Sequence, residues 1–280
     1  MYKLHHFQDE IIVNLGLGYR LGHRRQIVAL PTGGGKTVVA AHLGKRAAEK
    51  GRRMLFIVDR IELCGQAAET FNAMGLSVGT LRGEDTSYTR QDEIIVASIQ
   101  SIRSRSAPDW MDLAIIDEAH ILHGEHIRLM DAWADKAFIG LSATPLRKGL
   151  GKVFTNLVRG PSIRELTEQG FLVPVRAYAP QADAILSTLD GVSCGTTTGG
   201  YDYREQELAS AMNRKELVGD IVKTWQEKGE ERPTLCFAVN IAHSKSIQDD
   251  FLAAGVRADR LDAYTDASER REIIAGFKSG

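Results

Sequence analysis

Two short stretches hold most of the chemistry this sequence could perform. The first is Leu30-Pro31-Thr32-Gly33-Gly34-Gly35-Lys36-Thr37. Three consecutive glycines let a backbone turn tightly and aim several N–H groups at one anion. A helix opening at Lys36 would add its positive N-terminal end. The Lys36 ammonium suits β- and γ-phosphate oxygens, and the Thr37 hydroxyl suits Mg²⁺. Thr32, Gly33, Gly34, Gly35, Lys36 and Thr37 are therefore the expected phosphate cradle. The second stretch, Leu113-Ala114-Ile115-Ile116-Asp117-Glu118-Ala119-His120, is an apolar run ending in two adjacent carboxylates. A carboxylate at a strand tip beside a phosphate loop can hold Mg²⁺, which points to Asp117 with Thr37 as the metal ligands. Its neighbour Glu118 can orient or deprotonate an attacking water. Alone, such a strand end is an ordinary solvated terminus. Together with the glycine loop it predicts phosphoanhydride hydrolysis.

Both stretches need strands to place them. Short apolar runs at Gln26–Leu30, Met54–Val58, Ile94–Ala97, Leu113–Ile116 and Ala137–Leu141 fit strands buried on both faces. Helical patterns at Lys36–Lys50, Ile61–Met74 and Glu125–Ala134 lie between them. This alternation predicts an α/β fold with a parallel sheet covered by helices. A glycine- and threonine-rich region at 180–203 reads as a connection and a candidate boundary. The expected division is 1–178 and 179–280. In the second part, 204–228, 244–254 and 268–277 read as helices, 234–239 as a strand and 256–262 as extended chain.

The bulk numbers narrow the class. The chain has 280 residues, 43% of them apolar and 25% charged, as in average globular proteins. With 35 basic and 36 acidic side chains, nucleic-acid binding would be confined to a local surface. Cys64, Cys194 and Cys236 form no CxxC pair, which excludes a common zinc pattern and fits reduced thiols. No run approaches the ~20 apolar residues of a membrane span, and no signal-peptide core follows Met1. A soluble, cytoplasmic protein is expected.

Asp117-Glu118-Ala119-His120 spells a DEAH box, and the chain resembles DEAD/DEAH-box helicases of superfamily 2. Leu30 departs from the general phosphate-loop pattern, where glycine is expected, but Pro31 to Thr37 matches the variant common in that superfamily. The resemblance is to the branch containing restriction-enzyme helicase subunits and related bacterial and prophage helicases. It implies a RecA-like P-loop NTPase domain followed by a partial second RecA-like domain. It also implies ATP and Mg²⁺ as cofactors, and catalytic roles for Lys36, Asp117, Glu118 and His120. Ser142 and Thr144, in Leu141-Ser142-Ala143-Thr144-Pro145, match the S-A-T motif that couples nucleotide state to domain closure. Gln8, in Leu4-His5-His6-Phe7-Gln8, resembles the adenine-reading element, although a polar helix start is the plainer alternative. Arg60, Ser98 and Gln100 match loops that touch the sugar-phosphate backbone. Without the resemblance they read as solvated loop residues.

Thr234–Asn240 resembles motif IV, and 264–280 the segment ahead of motif V. The family's motifs V and VI are not among the residues. The resemblance therefore implies that a partner chain or a further segment supplies them. An arginine from motif VI stabilises charge on the γ-phosphate, and losing such a group costs about 10³–10⁵ in rate. The expectation is an ATP-dependent helicase or translocase core, on DNA more than RNA, that hydrolyses slowly or not at all by itself. The alternatives are a restriction-system motor subunit, or a non-catalytic nucleotide-dependent nucleic-acid-binding fragment. No nuclease motif stands beside these stretches.

Overall fold

The computed structural model describes residues 3–83, 85–178, 189–197, 200–212 and 215–279. The chain divides into two compact units, 1–175 and 176–280. The expected boundary at 178/179 touches residue 179, which lies outside the described residues, as do residues 180–188.

Unit 1 is built on one eight-stranded sheet. Its strands are β1 (Arg25–Ala29), β2 (Met54–Val58), β3 (Val78–Arg82), β4 (Asp85–Ser87), β5 (Ile94–Ser98), β6 (Leu113–Ile116), β7 (Ala137–Ser142) and β8 (Asn156–Arg159). Their order is β4-β3-β5-β2-β6-β7-β1-β8. Only the short edge strand β4 pairs antiparallel, with β3; the other neighbours are parallel. The helices are α1 (His6–Arg20), α2 (Lys36–Ala48), α3 (Ile61–Ala73), α4 (Ile99–Arg105), α5 (Gly124–Ala132) and α6 (Ile163–Glu168).

Strand side chains alternate between faces, so a continuous apolar run feeds two cores. Val28, Met54, Phe56, Val58, Ile94, Val96 and Ile115 face α1, α2 and α3. Ile27, Leu55, Ile57, Ile95, Ala97, Ala114 and Ile116 face α4 and α5. The parallel α/β sheet expected from the sequence is the observed architecture. One glycine sets a close approach: a Cβ on Gly44 of α2 would lie 2.7 Å from Ile94 Cδ1 and 2.9 Å from Met54 Cε. The bare backbone lets α2 sit this near the sheet without displacing those side-chain ends.

Parallel alignment puts the C-terminal ends of β1, β2, β5, β6 and β7 along one edge. That edge is where open α/β sheets place ligands. Every chemistry-bearing loop of unit 1 leaves from it.

Unit 2 contains helices Glu205–Met212, Lys215–Lys228, Ile241–Ala253 and Ala267–Ser279, and a two-stranded antiparallel ribbon, Cys194–Thr197 with Gly200–Tyr203. Val222, Ile247 and Phe251 form its small core. The helices fall near where expected, except that the single one expected at 204–228 is two, Glu205–Met212 and Lys215–Lys228. The strand expected at 234–239 is not one: no ladder partner binds it among the described residues, and Phe237 stays 92% exposed. An apolar run becomes a strand only beside a neighbour that takes its backbone hydrogen bonds.

Candidate functional site

The glycine loop leaves β1 and turns into α2. Gly33 and Gly35 adopt left-handed backbone angles, φ +82° and +83°. Left-handed geometry costs most residues about 1–2 kcal/mol but not glycine. Gly34 N donates to Pro31 O at 3.0 Å, and Leu30 N donates to Ser142 O at 3.0 Å. The loop is thus tied to itself and to the end of β7. Gln8 lies over it. Its Nε2 donates to Gly34 O at 2.9 Å, while its Oε1 accepts from His5 N at 2.9 Å. Gln8 is only 3% exposed, so the amide braces the loop from α1.

A Cβ on Gly35 would run into Gln8 Nε2, and its φ is already unfavourable. Gly35→Ala should therefore weaken Mg-nucleotide binding roughly tenfold, the equivalent of about 1–2 kcal/mol of backbone strain. Adding Gln8→Ala should relieve the clash but not the strain. Nucleotide titration of both variants checks this.

The second loop leaves β6. Asp117 N donates to Ile57 O at 2.9 Å, and Ala119 N donates to Leu141 O at 2.9 Å. Between them, Glu118 takes a left-handed φ of +47°. A non-glycine residue in that region carries about 1–3 kcal/mol of strain and marks functional turns. The twist brings Glu118 Oε1 to 3.5 Å from Lys36 Nζ and Oε2 to 3.3 Å from His120 Nδ1. Burial, then the neighbouring Glu118 charge, pushes the Asp117 carboxyl above its ordinary range. Desolvated carboxylates with no full complement of cations are the setting in which a hard divalent ion gains most. Thr37 and Asp117 line one cavity of about 520 Å³, whose floor includes Phe56, Val58 and Ala67. The residues fit Mg²⁺ held by one hydroxyl and one carboxylate. Among the described residues no group of three or more His, Cys, Asp or Glu could hold a metal. A magnesium completed by phosphate and water needs none.

His120 and Ser142 share a hydrogen bond at 3.1 Å, joining the β6 and β7 loops. Thr144 takes part through its backbone, donating to Ser142 Oγ at 3.0 Å, and its side chain is exposed. Arg147 Nη1 donates to the His120 carbonyl at 3.0 Å. No spacing in the sequence flagged Arg147.

Of the three residues expected at nucleic acid, Arg60 and Gln100 are exposed at the ends of β2 and β5. Ser98 is fully buried. Its Oγ caps α4 by accepting from Ser101 N at 3.2 Å and pairs with Ser101 Oγ at 2.8 Å. It shapes the loop from inside, and its hydroxyl is not free to meet a phosphate.

Beyond these lies a histidine pair. His123 Nε2 donates to Asp59 Oδ1 at 2.6 Å, and His126 Nδ1 accepts from His123 N at 3.0 Å. Burial, followed by the nearby His123, brings His126 down to about 4. The unfolded chain therefore binds a proton near pH 6.5 that the folded chain refuses. Stability should be full above pH 6.5 and fall as the pH drops to about 4, by up to about 3 kcal/mol from this group. Thermal melts of the chain and of His126→Gln should show a smaller acid loss in the variant.

The family model described as "Type III restriction enzyme, res subunit" matches residues 1–147. The chain belongs to that family. The matched segment holds both the glycine loop and the Asp117–His120 loop. A 51.5 kDa protein of a Lactococcus phage is 26% identical over 91% of the chain and 52% of its own length. IRC3 of Saccharomyces cerevisiae, provisionally named an ATP-dependent helicase, is 30% identical over 99% of the chain and 43% of its own. A type I restriction enzyme EcoAI endonuclease subunit of Escherichia coli is 28% identical over 81% and 31%. The chain thus spans about half, or less, of these relatives. The likeness to superfamily 2 helicases and their restriction-enzyme branch, first visible in the motifs, agrees with this family and these relatives.

Proposed function

We propose that unit 1 binds Mg-ATP at the glycine loop and hydrolyses it as a DEAH-box ATPase, within a motor that moves on DNA. The observation that carries this is the convergence of Lys36, Thr37, Asp117 and Glu118 from two separate loops onto one face of the sheet edge. In this reading Lys36 meets the β- and γ-phosphates, and the backbone of Thr32–Gly35 surrounds them. Thr37 and Asp117 hold Mg²⁺, which when bound neutralises charge on the phosphates. Glu118 orients the attacking water and His120 passes the state of that carboxylate to Ser142. Arg60 and Gln100 face the nucleic-acid backbone. A further segment or partner chain bearing an arginine would complete the stabilisation of the γ-phosphate.

The yeast relative's name supports a helicase, and the family together with the Escherichia coli relative supports the motor of a restriction system. DNA ranks ahead of RNA on the same ground. Among the described residues no helix is long and apolar enough to cross a membrane. ATP turnover with and without single- and double-stranded DNA tests the reading. DNA-stimulated turnover supports a working motor, and stimulation by duplex without strand separation favours the restriction-type motor. Mg-ATP binding without turnover makes this chain a nucleotide-dependent binding module. Absence of Mg-ATP binding overturns the assignment.

A further inference from the structure

The contact between Asp59 and His123 belongs to neither the nucleotide cradle nor the exposed nucleic-acid candidates. It joins the turn after β2 to the turn before α5. Asp59 is held twice: His123 Nε2 donates to its carboxylate at 2.6 Å, and Gln100 Nε2 donates to its backbone carbonyl at 2.6 Å. The residue after it is Arg60, exposed at the start of α3. The turn after β2, the start of α4 and the turn before α5 therefore meet at one aspartate.

His123 is itself fixed from behind. Its backbone N–H donates to Nδ1 of His126, which is 2% exposed, and its ring lies 5.5 Å from the His126 ring. The His126 Nε2 has no partner, so the imidazole is anchored by packing and by that one bond. Two residues before His123, Ile121 N donates to Glu118 O at 2.8 Å, closing the strained turn that presents Glu118 to Lys36. An ion pair from Lys36 to Glu118, then covalent chain and hydrogen bonds through His123, thus connect Lys36 to Asp59, Arg60 and Gln100.

We infer that Asp59 and His123 are positioning residues that couple nucleotide occupancy to nucleic-acid affinity, in addition to the His120–Ser142 route. Withdrawal of Lys36 toward phosphate leaves Glu118 with His120 alone and lets the turn at 118–123 shift. Asp59 must then follow His123, and Arg60 and Gln100 move with it. This inference rests on the functional reading above.

The test is a linkage measurement on the full chain. The affinity of a fluorescent non-hydrolysable ATP analogue with Mg²⁺ is measured with and without saturating poly-dT, and the affinity of labelled poly-dT with and without the analogue. Both ratios must give one coupling factor, since linkage is reciprocal, and about 5- to 150-fold is the usual range. His123→Ala and Asp59→Ala should bring the factor near one while leaving analogue affinity without DNA and the Tm unchanged. The double variant should be no worse than either single one, and His123→Gln, which keeps a donor, should restore part of the factor. An unchanged factor in His123→Ala overturns the inference. So does a parallel fall of Tm and both affinities, which marks a merely structural contact. A wild-type factor of one, with both ligands bound, overturns it while sparing the functional reading. No analogue binding by the wild-type chain defeats the functional reading itself.

Discussion

Replacing Lys36 with alanine should raise the Kd for Mg-ATP by roughly 10²-fold or more. The Lys36 side chain is 11% exposed, so its charge acts where water screens little. Truncating one member of a desolvated charge pair costs about 2–5 kcal/mol, and about 3 kcal/mol corresponds to 10²-fold. The fold should not suffer. Lys36 is the first residue of α2, where a cation opposes the helix dipole, and its partner Glu118 is 37% exposed. Calorimetry should show lost binding at an unchanged Tm. Unaltered ATP affinity would remove Lys36 from the site.

Glu118→Gln should behave in the opposite way. The amide keeps the side chain's shape but cannot accept a proton from water, so turnover should fall by about 10²–10⁴. Binding should hold or tighten. Lys36 Nζ lies 3.5 Å from Glu118 Oε1, and phosphate must compete with that partner. The neutral amide releases the ammonium and removes a negative charge from the place where the γ-phosphate would arrive. It also removes one of the two influences that hold Asp117 high, the other being burial. Less Mg²⁺ should then be needed for half-maximal binding at mildly acid pH. Parallel turnover and binding titrations separate the effects. Equal losses in both would mean that Glu118 shapes the site without acting in the reaction.

Much of unit 1 was legible because its strands are buried on both faces. An unbroken apolar run such as Met54–Val58 or Leu113–Ile116 has few other uses, and both match residue for residue. β3 (Val-Gly-Thr-Leu-Arg) and the edge strand β4 (Asp-Thr-Ser) escaped notice because strands near a sheet's margin are half-wet and mix polar residues into the run. α1 was read only as a polar start, although His5 and Gln8 close its first turn reciprocally. The run at 234–239 showed the converse failure, since composition alone cannot supply a ladder partner. At the site, residues inside the two loops could be read because their spacing is local. Asp59, His123 and Arg147 could not, since their contacts join turns that only the sheet order brings together. Ser98 illustrates a subtler limit: its position at a strand end was legible, but the direction of its hydroxyl depends on the helix it caps.

The bare Gly44 backbone on Met54 and Ile94 makes α2 a seated lever with the glycine loop at its tip. Lys36 lies eight residues earlier, about 12 Å along the axis. A methyl at position 44 would press on the tips of the Ile94 and Met54 side chains, flexible ends that can give before the helix itself has to move. The same seating fixes the glycine loop against the sheet, so the rearrangement that an arriving phosphate requires falls on the Lys36–Glu118 pair and the turn that carries Glu118.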